Sequence, residues 1–101
     1  MGLQNFKTYK LALSLHKECQ KLKLKGEIRD QLKRASLSIV LNVAEGSAKP
    51  TAADQRRFFA ISLGSAREVQ AIFDVLEIQD PNNLIDQVSA CLYTLCRNRS
   101  P

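Results

Sequence analysis

The sequence predicts an all-α fold, a single antiparallel up-down four-helix bundle, and three observations predict it. Apolar residues recur at helical spacing along four segments, no stretch alternates with period two for long enough to argue a strand, and the breaks between segments are short. With 101 residues the chain supports one domain, residues 1–101. Its composition, 45% hydrophobic and 25% charged with four Gly and three Pro, is that of a globular chain and not of a disordered one.

The first helix is expected from about Phe6 to Lys23. Tyr9, Leu13, His16 and Cys19 form one stripe, and Leu11, Leu15 and Leu22 an adjacent one. Gly26 interrupts the pattern. The second helix follows from about Glu27 to Glu45 on the stripe Ile28, Leu32, Ala35, Ile39 and Val43, and Gly46 suits the left-handed position past its end. Pro50 and Thr51 open the third helix, about residues 52–79, with Asp54 three residues after Thr51 as in a capping box. Its core stripe reads Phe58, Ser62, Ala66, Val69, Phe73 and Leu76. Asp80 and Pro81 read as cap and first-turn residue of the fourth helix, about residues 81–97, which carries Leu84, Val88, Cys91, Leu92 and Leu95 to a frayed tail from Arg97 to Pro101.

Helix two is apolar around most of its circumference, because Leu37, Val40 and Leu41 lie outside the core stripe. Phe59 and Leu63 on helix three lie roughly opposite its stripe, flanked by Arg56 and Arg67. One helix of a bundle buries one stripe, so Leu37, Val40, Leu41, Phe59 and Leu63 are read as an interface between copies in a homo-oligomer, a ring or a dimer.

Charge is unevenly distributed. Up to Arg34 there are nine basic and three acidic residues; from Ala35 onward there are six basic and seven acidic ones. A cationic first third favours a polyanionic partner, RNA or DNA before an anionic membrane. Lys25, Arg29 and Lys33 repeat every four residues as a ridge that Lys21, Lys23, Lys7 and Lys10 could extend, and Arg56, Arg57 and Arg67 join them as candidate phosphate contacts. No helix-turn-helix, zinc-finger or RNA-binding-sheet motif is present, so binding should follow the backbone with weak sequence preference.

Three cysteines cannot all pair within one chain and none stands in a paired spacing, so they are read as reduced thiols of a cytoplasmic protein. The charge-free run Ala35 to Ala44, ten residues, is about half of what a membrane helix needs. Neither a signal peptide nor a membrane role is expected. Catalysis finds poor footing: His16 is the single histidine, the four glycines stand alone, and any Glu45–Glu68 pair would be held ionised by Arg34. A zinc set from His16, Cys19 and Cys91 or Cys96 lacks the paired spacing of structural zinc modules. The sequence is therefore read as that of a non-enzyme without metal or cofactor.

Two blocks carry a resemblance: Asp30-Gln31-Leu32-Lys33-Arg34-Ala35-Ser36-Leu37-Ser38-Ile39-Val40-Leu41-Asn42-Val43-Ala44-Glu45-Gly46, and Arg57-Phe58-Phe59-Ala60-Ile61-Ser62-Leu63-Gly64-Ser65-Ala66-Arg67-Glu68. With the opening Tyr9-to-His16 segment they resemble the four-helix-bundle proteins encoded in intervening sequences of bacterial 23S ribosomal RNA genes. Ser62 stands where that family often has Ala. The resemblance implies an antiparallel bundle, often a pentameric ring, similar to the accessory protein of diversity-generating retroelements, which helps a reverse transcriptase and binds nucleic acid. It leaves two expectations: a nucleic-acid-associated oligomer, or a scaffold that docks a protein such as a reverse transcriptase. Within the blocks, Arg34, Ser38, Asn42 and Glu45 share one face, and Ser65 and Glu68 flank the core stripe of helix three. A structural polar network is expected there, with an Arg34–Glu68 ion pair, Gly46 at the helix end, and Gly64 beside Ser65 allowing close helix approach.

Overall fold

The computed structural model describes residues 1–97. Among them stand four helices and no strand: α1 (Leu3–Lys21), α2 (Gly26–Ser47), α3 (Ala52–Leu76) and α4 (Leu84–Arg97), with a single 3-10 turn, Pro81–Asn83, ahead of α4. The tail expected beyond Arg97 lies outside the described residues. Each helix packs on the next, and α4 closes back on α1. The result is a rod of 45 × 22 × 18 Å, its length set by the 25 residues of α3.

Leu15, Leu32, Ile39, Val43, Val69, Phe73, Ile85, Val88 and Leu92 fill the centre, all essentially without solvent contact. Burying each such side chain stabilises the fold by about 1.5–3 kcal/mol. α1 presents Thr8, Ala12, Leu15 and Cys19 as its buried line, with Tyr9, Leu11, Leu13 and Leu22 packed half-buried to either side. The innermost row therefore falls between the two stripes read from the sequence. Buried Thr8 is accommodated because its hydroxyl donates to the Gln4 carbonyl oxygen at 2.9 Å.

Gly46 sets the contact between α2 and α3. It lies inside α2 and is buried, without a positive φ. A Cβ at this position would sit 2.9 Å from Phe58 Cβ, 2.9 Å from Phe59 Cε1 and 3.1 Å from the Gln55 carbonyl oxygen. Its role is close approach and not helix termination. The room it leaves lets the Phe59 ring enter the core, while Phe58 stays half-buried beneath Lys49 and Arg57, whose charged groups lie 5.0 and 4.6 Å from its ring centre. The expected core stripe of α3 is thus correct from Ser62 onward, but Phe59 replaces Phe58 at its start.

This register also corrects the oligomer reading. Val40 and Phe59 are 5% and 3% exposed, buried within one copy of the chain, and Leu63 packs half-buried against the core. Leu37 and Leu41 remain at the surface, 38% and 56% exposed, together with Ile61 at 46%.

The ends of the helices follow local chemistry. Thr51 Oγ accepts from the Asp54 amide at 3.2 Å and caps α3 as expected. α3 stops at Leu76, three residues earlier than the periodicity suggested. Glu77 adopts a left-handed conformation (φ 55°), and the Ile78 amide reaches back to the Phe73 carbonyl at 2.9 Å. Asn82 and Asn83 also have positive φ, so α4 begins at Leu84 instead of Pro81. Asp80 still caps it from a distance: its two carboxylate oxygens accept from the Ile85 and Asp86 amides at 2.7 and 3.1 Å.

Candidate nucleic-acid interface

α2 begins immediately after the loop that carries Lys23 and Lys25, so Lys25, Arg29 and Lys33 fall on one exposed line along its first turns. Arg29 Nε and Nη2 both donate to Asp30 Oδ1 at 3.3 Å. A cleft of about 340 Å³ opens beside this line, between the end of α1 and the start of α2. Cys19, Leu22, Leu24 and Leu32 supply apolar wall, and Gln20, Asp30, Arg29 and Lys33 supply the polar and charged rim.

The other cations lie elsewhere. Gly46 abuts Phe58, and Ser38 bonds Ser65, so the start of α3 sits beside the end of α2. At 1.5 Å per residue, Arg56 and Arg57 are roughly 25 Å along the axis from Arg29. Arg57 pairs with Asp54 at 3.8 Å and covers Phe58, and Arg56 is half-buried. Arg67 is exposed midway along α3. Lys7 and Lys10, at the start of α1, are some 20 Å from the Lys21 end of that helix. Arg56 and Arg57 therefore stand apart from the line of Lys25, Arg29 and Lys33, which has Lys21 and Lys23 nearby, while the Ser38–Ser65 pair sets Arg67 at about the level of residue 36.

Opposite charge gathers on the neighbouring edge. Asp74, Glu77, Asp80 and Asp86 surround the α3–α4 turn, and Asp80 lies close enough to the α1 end to act electrostatically on Cys19.

The polar motif is partly assembled. Ser38 Oγ and Ser65 Oγ are 2.8 Å apart across the two helices, and Asn42 Nδ2 donates to both the Ser38 carbonyl oxygen (2.9 Å) and Ser38 Oγ (3.1 Å). Ser62, singled out as a departure from Ala, donates its hydroxyl to the Ile39 carbonyl oxygen at 2.8 Å in the buried seam. Glu45 turns to Lys49 at 3.1 Å. Arg34 and Glu68 are both exposed, and no ion pair joins them among the described residues. Gly64 is exposed, with open space where its Cβ would stand, so it permits no close approach; Gly46 fills that part instead.

One polar node escaped sequence reasoning. His16 Nδ1 and Ser36 Oγ are 2.7 Å apart, and Ser36 Oγ also donates to the Lys33 carbonyl oxygen at 3.2 Å. Ser36 Oγ thus stands among His16, Cys19 and the Lys33 carbonyl, and its hydrogen bond to the Cys19 sulfur favours the thiolate without outweighing burial. Burial and then the Lys33 charge lower the His16 pKa, which keeps the ring neutral, and burial pushes the Cys19 thiol up to about 11. Serine at position 36, four residues after Leu32 on the buried side of α2, was the available signal. Among the described residues no group of three or more His, Cys, Asp or Glu is arranged to hold a metal ion, and no helix is long and apolar enough to cross a membrane.

Fold and surface together define a class: small basic proteins of four helices. The family of 23S rRNA-intervening sequence proteins matches residues 4–96, nearly the whole chain, and the chain belongs to it. No curated protein and no solved structure matches.

Proposed function

We propose that this chain is a non-enzymatic protein of the cytoplasm that associates with copies of itself and holds RNA or DNA by the phosphate backbone, using Lys25, Arg29 and Lys33. The exposed cationic line beside the α1–α2 cleft carries the reading, because of its three members only Arg29 has a close acidic partner among the described residues. Membership of a family named for intervening sequences of ribosomal RNA agrees with a nucleic-acid association. Three free cysteines suit a reducing compartment.

The proposal includes an antiparallel up-down order. It is supported by the pairs Gly46–Phe58, Ile39–Ser62 and Ser38–Ser65, in which one number falls as the other rises. Self-association, with a pentameric ring as the favoured form, is supported by exposed Leu37, Leu41 and Ile61 on the outer side of the α2–α3 pair. Repeating the cationic line in every copy would multiply phosphate contacts.

The test is nucleic-acid binding across a salt series, on protein whose mass has been fixed by light scattering. We expect micromolar or tighter binding that falls steeply with salt. The triple charge reversal Lys25→Glu, Arg29→Glu and Lys33→Glu should abolish it with assembly intact, while reversing Arg56, Arg57 and Arg67 should cost much less. Full binding by the first triple variant would sink the proposal.

A further inference from the structure

We infer that the α1–α2 cleft takes one unpaired base of a single strand, so that the preferred partner is single-stranded RNA or DNA and not duplex. This rests on the phosphate-binding role of the Lys25, Arg29 and Lys33 line and assigns the adjacent cleft, which that role leaves unused. At about 340 Å³ the cleft is at the lower end of small-molecule sites, room for a single base and not for a base pair. Leu22, Leu24 and Leu32 offer an apolar wall to the face of a base, and Arg29 and Lys33 stand at the rim where the flanking phosphates would lie. The geometry of Arg29 suits a second contact: two of its nitrogens are tied edge-on to Asp30 Oδ1, which leaves the guanidinium plane to stack on the base. Both those bonds use Oδ1, so Oδ2 of Asp30 is left to accept from an exocyclic amino group.

A duplex hides its base faces and would have to flip a nucleotide out, at a cost of a few kcal/mol, to use the cleft. A single strand avoids most of that cost. The carboxylate at the rim adds a preference. Cytosine, adenine and guanine present an exocyclic amino donor, and uracil does not, so the cleft should favour the first three.

The experiment measures binding of the intact protein to four labelled oligonucleotides of equal length: oligocytidine, oligouridine, a mixed single strand carrying abasic positions, and a duplex. The inference expects oligocytidine to bind at least about fivefold tighter than the duplex and the abasic strand, with oligouridine between them. Leu24→Ala, in the loop outside the helices, should narrow the gap between oligocytidine and duplex without changing duplex binding. Equal, salt-sensitive binding of all four would overturn the base-binding role and leave the phosphate role standing. Absence of binding to any of them at low salt would remove both. Tighter binding of the duplex would also overturn the inference.

Discussion

At the scale of single residues, two glycines that look alike in sequence are set apart by their surroundings. Gly46→Ala would drive a Cβ to 2.9 Å from Phe58 Cβ and from the Phe59 ring, and Phe58 Cβ, fixed to its backbone, gives way only if the two helices part. Overpacking of this kind costs about 1–3 kcal/mol, which a urea titration would show as a lower midpoint. Gly64→Ala meets open space on an exposed helical surface and should stabilise by up to about 1 kcal/mol. Nothing in the sequence distinguishes them, because close approach is a property of the partner helix. The node of His16, Ser36 and Cys19 makes stability depend on pH at both extremes. His16 binds its proton less readily folded than unfolded, so below about pH 6.5 the unfolded chain gains protons and stability falls as pH drops. Cys19 holds its proton up to about pH 11, against 9.0 for an ordinary thiol, so stability falls as pH rises between those values. Thermal midpoints across pH should therefore form a plateau between about 6.5 and 9, with Cys19→Ala flattening the alkaline side.

Among the elements, what the sequence disclosed was the interior of each helix, and what it concealed was where helices stop. The repeating Leu32, Ala35, Ile39 and Val43 could only be one face of a helix, since that spacing has no other use. The end of α3 was invisible for a physical reason: Glu77 holds a left-handed conformation usually given to glycine, against its local preference, whereas Asn82 and Asn83 ahead of α4 are of the residue type that adopts it most readily after glycine. The same account applies at Phe58 and Phe59, where two adjacent aromatics satisfy the periodicity almost equally and the gap over Gly46 chooses between them. Asp80 was identified as a cap, yet it reaches across the 3-10 turn to the amides of Ile85 and Asp86, three residues later than expected. Asp80→Ala should consequently cost about 1 kcal/mol and raise amide hydrogen exchange across the first turn of α4, with little change in α1 and α2. Exchange spread evenly over all four helices would contradict that assignment.

For the molecule as a whole, the cationic line was legible because Lys25, Arg29 and Lys33 are neighbours in sequence as well as in space. Arg56 and Arg57 were grouped with them only by charge, and the antiparallel pairing of α3 with α2 sets them far along the rod, while it brings Arg67 back to the level of about residue 36. The apolar surplus of α2 and α3 was overcounted likewise, since Val40 and Phe59 are consumed by the core of one chain. On these two helices Leu37, Leu41, Ile61 and, near the end of α3, Val75 stay exposed, and Leu41→Asp should leave the urea midpoint nearly unchanged and reduce the mass measured by light scattering. An unchanged mass would remove this face from any assembly. The acidic edge at the α3–α4 turn adds a property that neither edge has alone. A positive edge beside a negative one gives the rod an electric dipole across its width, so a phosphate chain exerts a torque on the protein before contact and turns the α1–α2 side toward itself. Replacing Asp74, Glu77 and Asp86 by their amides would strengthen overall attraction while weakening that alignment, and the difference should appear in association rates at low salt, as more encounters of which fewer are correctly faced.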